Sequence, residues 1–274
     1  MSARFSIAAA AAAAGLMFAA HGAPPHYRSS PERHKVAERD WGPWLGPFRA
    51  QLVPSLMQDF GERYIYAKAD AAIGLPRPGE LRVVFLGDSI TDRWDLGHAF
   101  PGKPYVNRGI GSQVTAQMVL RFHQDVVALH PDAVVILAGV NDVQGVLQQD
   151  SEAQIEANYE AMADIADRHG IRPVFASILP VSTYPPGASA VNDERHPDEL
   201  RRLNAWLRRF CATRGYQYAD YYSVLVDTAG QMRRGLTDDG VHPLDAGYKL
   251  MAPVVDAAIG RTLRGPVRRA APRR

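Results

Sequence analysis

Four short stretches of this sequence bring together a nucleophile, a titratable base and neutral hydrogen-bond donors. Gly87-Asp88-Ser89-Ile90-Thr91 follows an apolar run at residues 81–86 and places a serine at a strand-to-helix turn. There the hydroxyl can face solvent, and the positive end of the next helix favours negative charge developing nearby. Ser89 is therefore a candidate nucleophile, with helix capping by Asp88 and Ser89 as the competing role. Thr237-Asp238-Asp239-Gly240-Val241-His242-Pro243 holds an acid and an imidazole three positions apart. A tight turn through Gly240 can bring the Asp239 carboxylate to one ring nitrogen of His242 and leave the other facing outward, which orients and polarises a general base. The competing role is a metal pair, but no third ligand lies nearby in the sequence, so no metal is expected.

Gly139-Val140-Asn141-Asp142 also ends an apolar run and offers the Asn141 side-chain amide, a donor that can bind an oxyanion without titrating. Turn formation is its competing role. In Asn107-Arg108-Gly109-Ile110-Gly111-Ser112 the glycines let backbone amides point at a ligand. This stretch is not a dinucleotide fingerprint, because G-x-G-x-x-G is incomplete and no acid stands at the ribose position; a Gly-Lys-Ser/Thr phosphate loop is also absent. No organic cofactor is expected. Jointly, the four stretches supply what serine-based acyl transfer requires: a nucleophile, a base with its orienting acid, and neutral donors for a tetrahedral oxyanion.

The elements that must position these residues are legible as alternating strand and helix signals. Apolar runs at 81–86, 105–110, 133–138, 174–179 and 216–222 predict five strands. Between them lie helical stripes: Val114, Met118, Phe122 and Val126; Ile155, Tyr159, Met162 and Ile165; Leu200, Leu203, Leu207 and Phe210. Gly170 and Gly215 suit helix C-termini and Pro197 a first turn. A last helix is expected over 245–263. Strands alternating with helices indicate an α/β class with a parallel sheet, whose ligands bind beyond the carboxyl ends of the strands.

Ahead of this domain, residues 51–72 look amphipathic and helical, preceded by the aromatic residues Trp41, Trp44 and Phe48 and ended by Pro76, Pro78 and Gly79. The opening residues read as a secretory signal peptide over 1–22: Arg4 is followed by sixteen uncharged residues, Phe5 to Ala20, and Ala20-His21-Gly22 places small residues at the cleavage positions. That run is short of the ~20 residues a spanning helix needs, so no stable membrane anchor is expected, and the protein is expected to be periplasmic or secreted. The lone cysteine, Cys211, can form no internal disulfide and is expected to pack in the core.

The chain has 274 residues, 46% hydrophobic and 22% charged, with a formal charge of +2, an ordinary globular composition. Six arginines and no acid fall within residues 261–274. The basic excess therefore sits in a tail, taken as 263–274, and the rest is net acidic, which argues against a nucleic-acid partner. A small or neutral substrate is expected. The long connection at 179–197 could shape access to it, and Trp94, His98 and Tyr184 could wall a sugar or aryl pocket, unless they serve only in packing.

The blocks Gly87-Asp88-Ser89, Gly-x-Asn-Asp at 139–142 and Asp-x-x-His at 239–242 together resemble the GDSL or SGNH hydrolase family over residues 81–262. The resemblance implies a flavodoxin-like three-layer α/β/α sandwich with a five-stranded parallel sheet, preceded by an extension over 23–80. It implies Ser89 as nucleophile, His242 as base, Asp239 as its partner, and Asn141 and the Ser89 amide as oxyanion donors. The family's second block usually has a glycine five residues after its asparagine, where this sequence has Ser112. Either Ser112 donates through its amide, or a one-residue shift makes Gly111 the donor. The implied activity is an exported ester hydrolase acting on short acyl esters, O-acetyl carbohydrate or aryl esters. An acyltransferase using the same residues, or a non-catalytic glycan-binding relative, are the alternatives.

Overall fold

Strands β1 (Val83–Gly87), β2 (Tyr105–Gly109), β3 (Ala133–Leu137), β4 (Arg172–Ala176) and β5 (Gln217–Ala219) pair in the order β2-β1-β3-β4-β5, all parallel. β1 and β3 read Val-Val-Phe-Leu-Gly and Ala-Val-Val-Ile-Leu with every residue buried, the continuous apolar run of a strand covered on both faces. This computed structural model describes residues 42–147, 150–188 and 195–265. The signal peptide expected over 1–22, Trp41, and the expected tail beyond residue 265 lie outside the described residues.

Helices α1 (Gly42–Leu56) and α2 (Tyr64–Ile73) precede the sheet; α3 (Ser89–Asp92) and α4 (Leu96–Ala99) join β1 to β2; α5 (Thr115–Asp125) joins β2 to β3. α6 (Val140–Gln144) and α7 (Glu152–Arg168) lie between β3 and β4, α8 (Pro197–Arg214) leads to β5, and α9 (Tyr221–Leu225) and α10 (Asp245–Arg264) follow it. α5, α7 and α8 cover one face of the sheet; α10, with α4 and α9 against it, covers the other. Right-handed crossovers account for this division, because the chain moves one way from β1 to β2 and the opposite way from β2 onward.

The stripes pack as their spacing predicts. Val114, Met118, Phe122 and Val126 are fully buried, as are Ile155, Tyr159, Met162, Leu200, Leu203 and Leu207, and Cys211 is a buried free thiol. Pro197 opens α8 and Gly215 caps it. Three boundaries differ from expectation. The run at 216–222 is a strand only over 217–219, because Asp220 caps a helix that takes Tyr221 and Tyr222, its side chain accepting the Ser223 N–H at 3.2 Å. Ile178, expected in a strand, is buried but leaves the ladder, because the Asn204 side chain takes both its N–H and its C=O at 2.8 Å. The single helix expected over 51–72 is two helices, broken where Glu62 adopts a left-handed φ of 52°.

Candidate active site

The chain reverses direction around β1, so the crevice beyond the carboxyl ends of β1 and β3 is the topological switch point of the sheet. Ser89 is the first residue of α3, directly after β1. Asp88 is the residue that caps, its Oδ1 accepting the Ile90 N–H at 2.9 Å, which leaves the Ser89 hydroxyl free for other partners. The turn requires Gly87, since a Cβ there would lie 2.1 Å from Thr91 Oγ1 and 2.8 Å from the Leu137 carbonyl. From the other face of the sheet, the Tyr248 hydroxyl of α10 donates to Ile90 O at 2.8 Å and steadies the same turn.

The half-buried Ser89 Oγ lies 2.7 Å from Nε2 of His242, 153 positions away in sequence. Nδ1 of His242 lies 2.5 Å from Asp239 Oδ2. The other Asp239 oxygen accepts from the Val241 and His242 amides at 2.9 and 2.8 Å and from the Thr237 hydroxyl at 3.2 Å. Burial raises the Asp239 carboxyl, but hydrogen bonds from the His242 ring and from the His242 and Val241 amides outweigh it and hold the group well below the usual carboxylate range. An ionised Asp239 requires the proton on Nδ1, so Nε2 is left to accept the Ser89 hydroxyl proton. Gly240 docks this loop: its carbonyl accepts the Ser182 N–H at 2.8 Å, its φ is +88°, and a Cβ would lie 2.3 Å from Ser182 O.

Beneath Ser89, Asp88 is fully buried, and among the described residues its Oδ2 has no hydrogen-bond partner. Burial pushes this carboxyl up to about 6, against the Ile90 amide bond and the charges of His242 and Arg195, which pull it down. A folded pKa above the unfolded value of about 3.9 means the native state binds the extra proton. The associated stability is therefore full below about pH 4 and is lost as pH rises through about 6. Asp88→Asn keeps an acceptor for Ile90 but cannot ionise. Thermal melts from about pH 4 to 7 should show a smaller loss of stability in this variant than in wild type. Parallel profiles would contradict the assignment.

The loop after β2 passes beside the nucleophile, since a Cβ on Gly111 would sit 3.9 Å from Ser89 Cβ. Ser112 follows with a left-handed φ of 68°. Asn141 is buried on α6, and one hydrogen of its Nδ2 is donated to Gln113 O at 3.0 Å, leaving the second for another acceptor. Asp142 ties the two loops together, accepting the Thr115 N–H at 2.9 and 3.1 Å and the Thr115 hydroxyl at 2.5 Å. This caps α5 from α6, and burial raises the Asp142 carboxyl to about 7 although the Thr115 bonds oppose it. Of the suggested pocket aromatics, Trp94 packs in the core. Trp94 is buried against Phe85, Phe100, Tyr221 and Tyr248, His98 is exposed on α4, and Tyr184 has Arg234 3.8 Å from its ring centre with its hydroxyl on Asp227 at 2.5 Å. Sequence reasoning passed over Gln113, Asp142 and Arg121, whose polar side chains carry no signal of burial until their partners are known.

Residues 85–250 match the model of the GDSL-like lipase/acylhydrolase family. The chain belongs to this family. A solved Bacteroides fragilis chain assigned as an acylhydrolase is 32% identical, covering 75% of this chain and 99% of its own, with a TM-score of 0.70. A GDSL-like lipase structure from Bacteroides thetaiotaomicron is likewise 32% identical, over 74% of this chain and 99% of its own, with a TM-score of 0.68. An acetylxylan esterase of Xylanibacter ruminicola is 26% identical over 241 residues, 74% of this chain; the chain spans about half of that curated relative, 47%. The family is one of lipases and acylhydrolases, and the two Bacteroides structures share the α/β fold of this chain.

Proposed function

We propose that this GDSL-family protein is an exported serine esterase that removes short acyl groups, O-acetyl groups on carbohydrate foremost. The observation that carries the reading is the unbroken line Ser89 Oγ, His242 Nε2, His242 Nδ1, Asp239 Oδ2, with spacings of 2.7 and 2.5 Å, at the switch point of the sheet. His242 takes the Ser89 proton as Oγ bonds to the ester carbonyl, and the carbonyl electrons move onto oxygen. Collapse breaks the bond to the alcohol, which leaves with the proton held on His242. Water then repeats the sequence on the acyl-enzyme and frees the acid. Donors for the oxyanion are the amides of Ser89 and Ser112 and the remaining Nδ2 hydrogen of Asn141. The left-handed φ of Ser112 supports the unshifted assignment over Gly111, because that backbone region is what a glycine at this position would serve. A backbone amide donates equally well from a serine.

The acetylxylan esterase relative supports an acetylated carbohydrate as substrate, and the basic, alanine-rich opening of the chain supports export. Hydrolysis of p-nitrophenyl esters from acetyl to dodecanoyl, beside acetate release from acetylated xylan, tests the substrate. The acetyl ester should be turned over fastest and acetate should be released. A maximum at long chains, or no acetate from the polymer, would overturn the respective half of the proposal. In the same assay Asn141→Ala should lower kcat by about 10²- to 10³-fold, the usual cost of one preorganised donor. A folded Asn141→Ala protein with wild-type kcat would remove Asn141 from the oxyanion site.

A further inference from the structure

The turn between α1 and α2 lies outside the residues matched by the family model, yet it reaches the loop that carries the proposed oxyanion donors. Glu62 in that turn is 8% exposed and holds a left-handed φ of 52°, a strained conformation for a residue with a long side chain. Its Oε2 accepts from Gln113 Nε2 at 3.0 Å and from Gln117 Nε2 at 3.3 Å. Gln113 is fully buried, and its side-chain oxygen accepts from Arg121 Nε at 2.6 Å. Arg121 in turn donates to the Gly87 carbonyl at the end of β1 at 3.0 Å and to Arg108 O on β2 at 2.8 Å. The main-chain carbonyl of Gln113 is the group that holds Asn141. Both ends of the Gln113 side-chain amide are thus fixed, one by the core and one by the extension, and the carbonyl so placed aims the Asn141 amide.

We infer that Glu62 is a positioning residue for ester hydrolysis: it sets the Asn141 donor through Gln113, so the N-terminal extension is part of the active-site scaffold. The inference rests on the oxyanion role proposed for Asn141. Two further contacts of the extension bear on the same loops. The Arg49 guanidinium of α1 donates to Val146 O, whose own amide bonds Asn141 O at 3.1 Å, and the Tyr66 hydroxyl of α2 donates to Gly109 O. Removing the Glu62 carboxylate takes the acceptor from one amide hydrogen of Gln113 and one of Gln117 and leaves Gln113 Nε2 only its longer bond to Gly61 O at 3.3 Å, so Gln113 can shift, and small displacements of a catalytic donor lower turnover steeply.

The test is steady-state hydrolysis of p-nitrophenyl acetate by the full chain carrying Glu62→Ala, Asn141→Ala, or both. Glu62→Ala should lower kcat by about 10- to 100-fold with KM nearly unchanged. Glu62→Gln, whose Oε1 can still accept from Gln113, should recover most of the rate. In the Asn141→Ala background the Glu62 substitution should cost less than about 3-fold, because the donor it positions is already gone. A folded Glu62→Ala enzyme with wild-type kcat, or one whose loss is the same in both backgrounds, would overturn the inference. A wild-type rate for Asn141→Ala alone would instead overturn the oxyanion assignment beneath it. If Glu62→Ala fails to fold, Glu62→Asp, which withdraws the carboxylate by one methylene, is subject to the same two-background criterion.

Discussion

Ser89→Ala should abolish turnover, lowering kcat/KM by about 10⁴- to 10⁶-fold while the protein folds as before. The size follows from the mechanism: without Oγ no acyl-enzyme forms, and what remains is the contribution of oxyanion donors and substrate binding to direct attack by water. Stability should change little, because Ser89 is half-buried, the Ile90 amide is capped by Asp88 and not by Ser89, and the helix turn is held by Gly87 and Tyr248. Covalent labelling by an organophosphonate should vanish together with activity, and the thermal melt of the variant should overlay that of wild type. Undiminished labelling would place the nucleophile elsewhere.

Asp239→Asn should be nearly as damaging, lowering kcat by about 10⁴-fold. An asparagine can keep an oxygen toward the Val241 and His242 amides, but it then presents an NH2 group to Nδ1 of His242. The ring must accept there, its proton moves to Nε2, and Nε2 can no longer receive the Ser89 proton. Organophosphonate labelling of Ser89 should slow in parallel with turnover, which separates loss of base from loss of binding. A pH signature accompanies this. The Asp239 carboxyl is depressed in the folded state, so the stability it lends is present above its unfolded value of about 3.9 and is lost as pH falls toward the folded one. Wild type should therefore lose stability on acidification in this way and Asp239→Asn should not. Equal acid sensitivity, or a variant with wild-type kcat, would remove Asp239 from its proposed role.

Much of the fold is legible in the sequence because the signals involved are local. Residues 83–86 of β1 and 133–137 of β3 are apolar without interruption, and the stripes of α5, α7 and α8 repeat at helical spacing; each element records which of its own faces is buried. The Asp239 and His242 contact is legible for the same reason, since the two groups lie three residues apart across a turn at Gly240. The break at Glu62 and the early exit of Ile178 from the ladder are not local. One depends on buried acceptor bonds to Gln113 and Gln117, the other on a side chain 26 positions away.

The sequence by itself determined the alternation of strands and helices, the Ser89, Asn141 and Asp239–His242 blocks as candidates for catalysis, and their order along the chain. Only the tertiary structure decided that Ser89 meets His242 across 153 residues, that Asp142 caps α5, and that Glu62 reaches Asn141 through Gln113. The physical reason is that apolar periodicity reports burial one element at a time, whereas a buried polar group is defined by its partner. Glutamine and glutamate read alike on a solvated face and in a closed network, and the register between packed elements is what tells them apart.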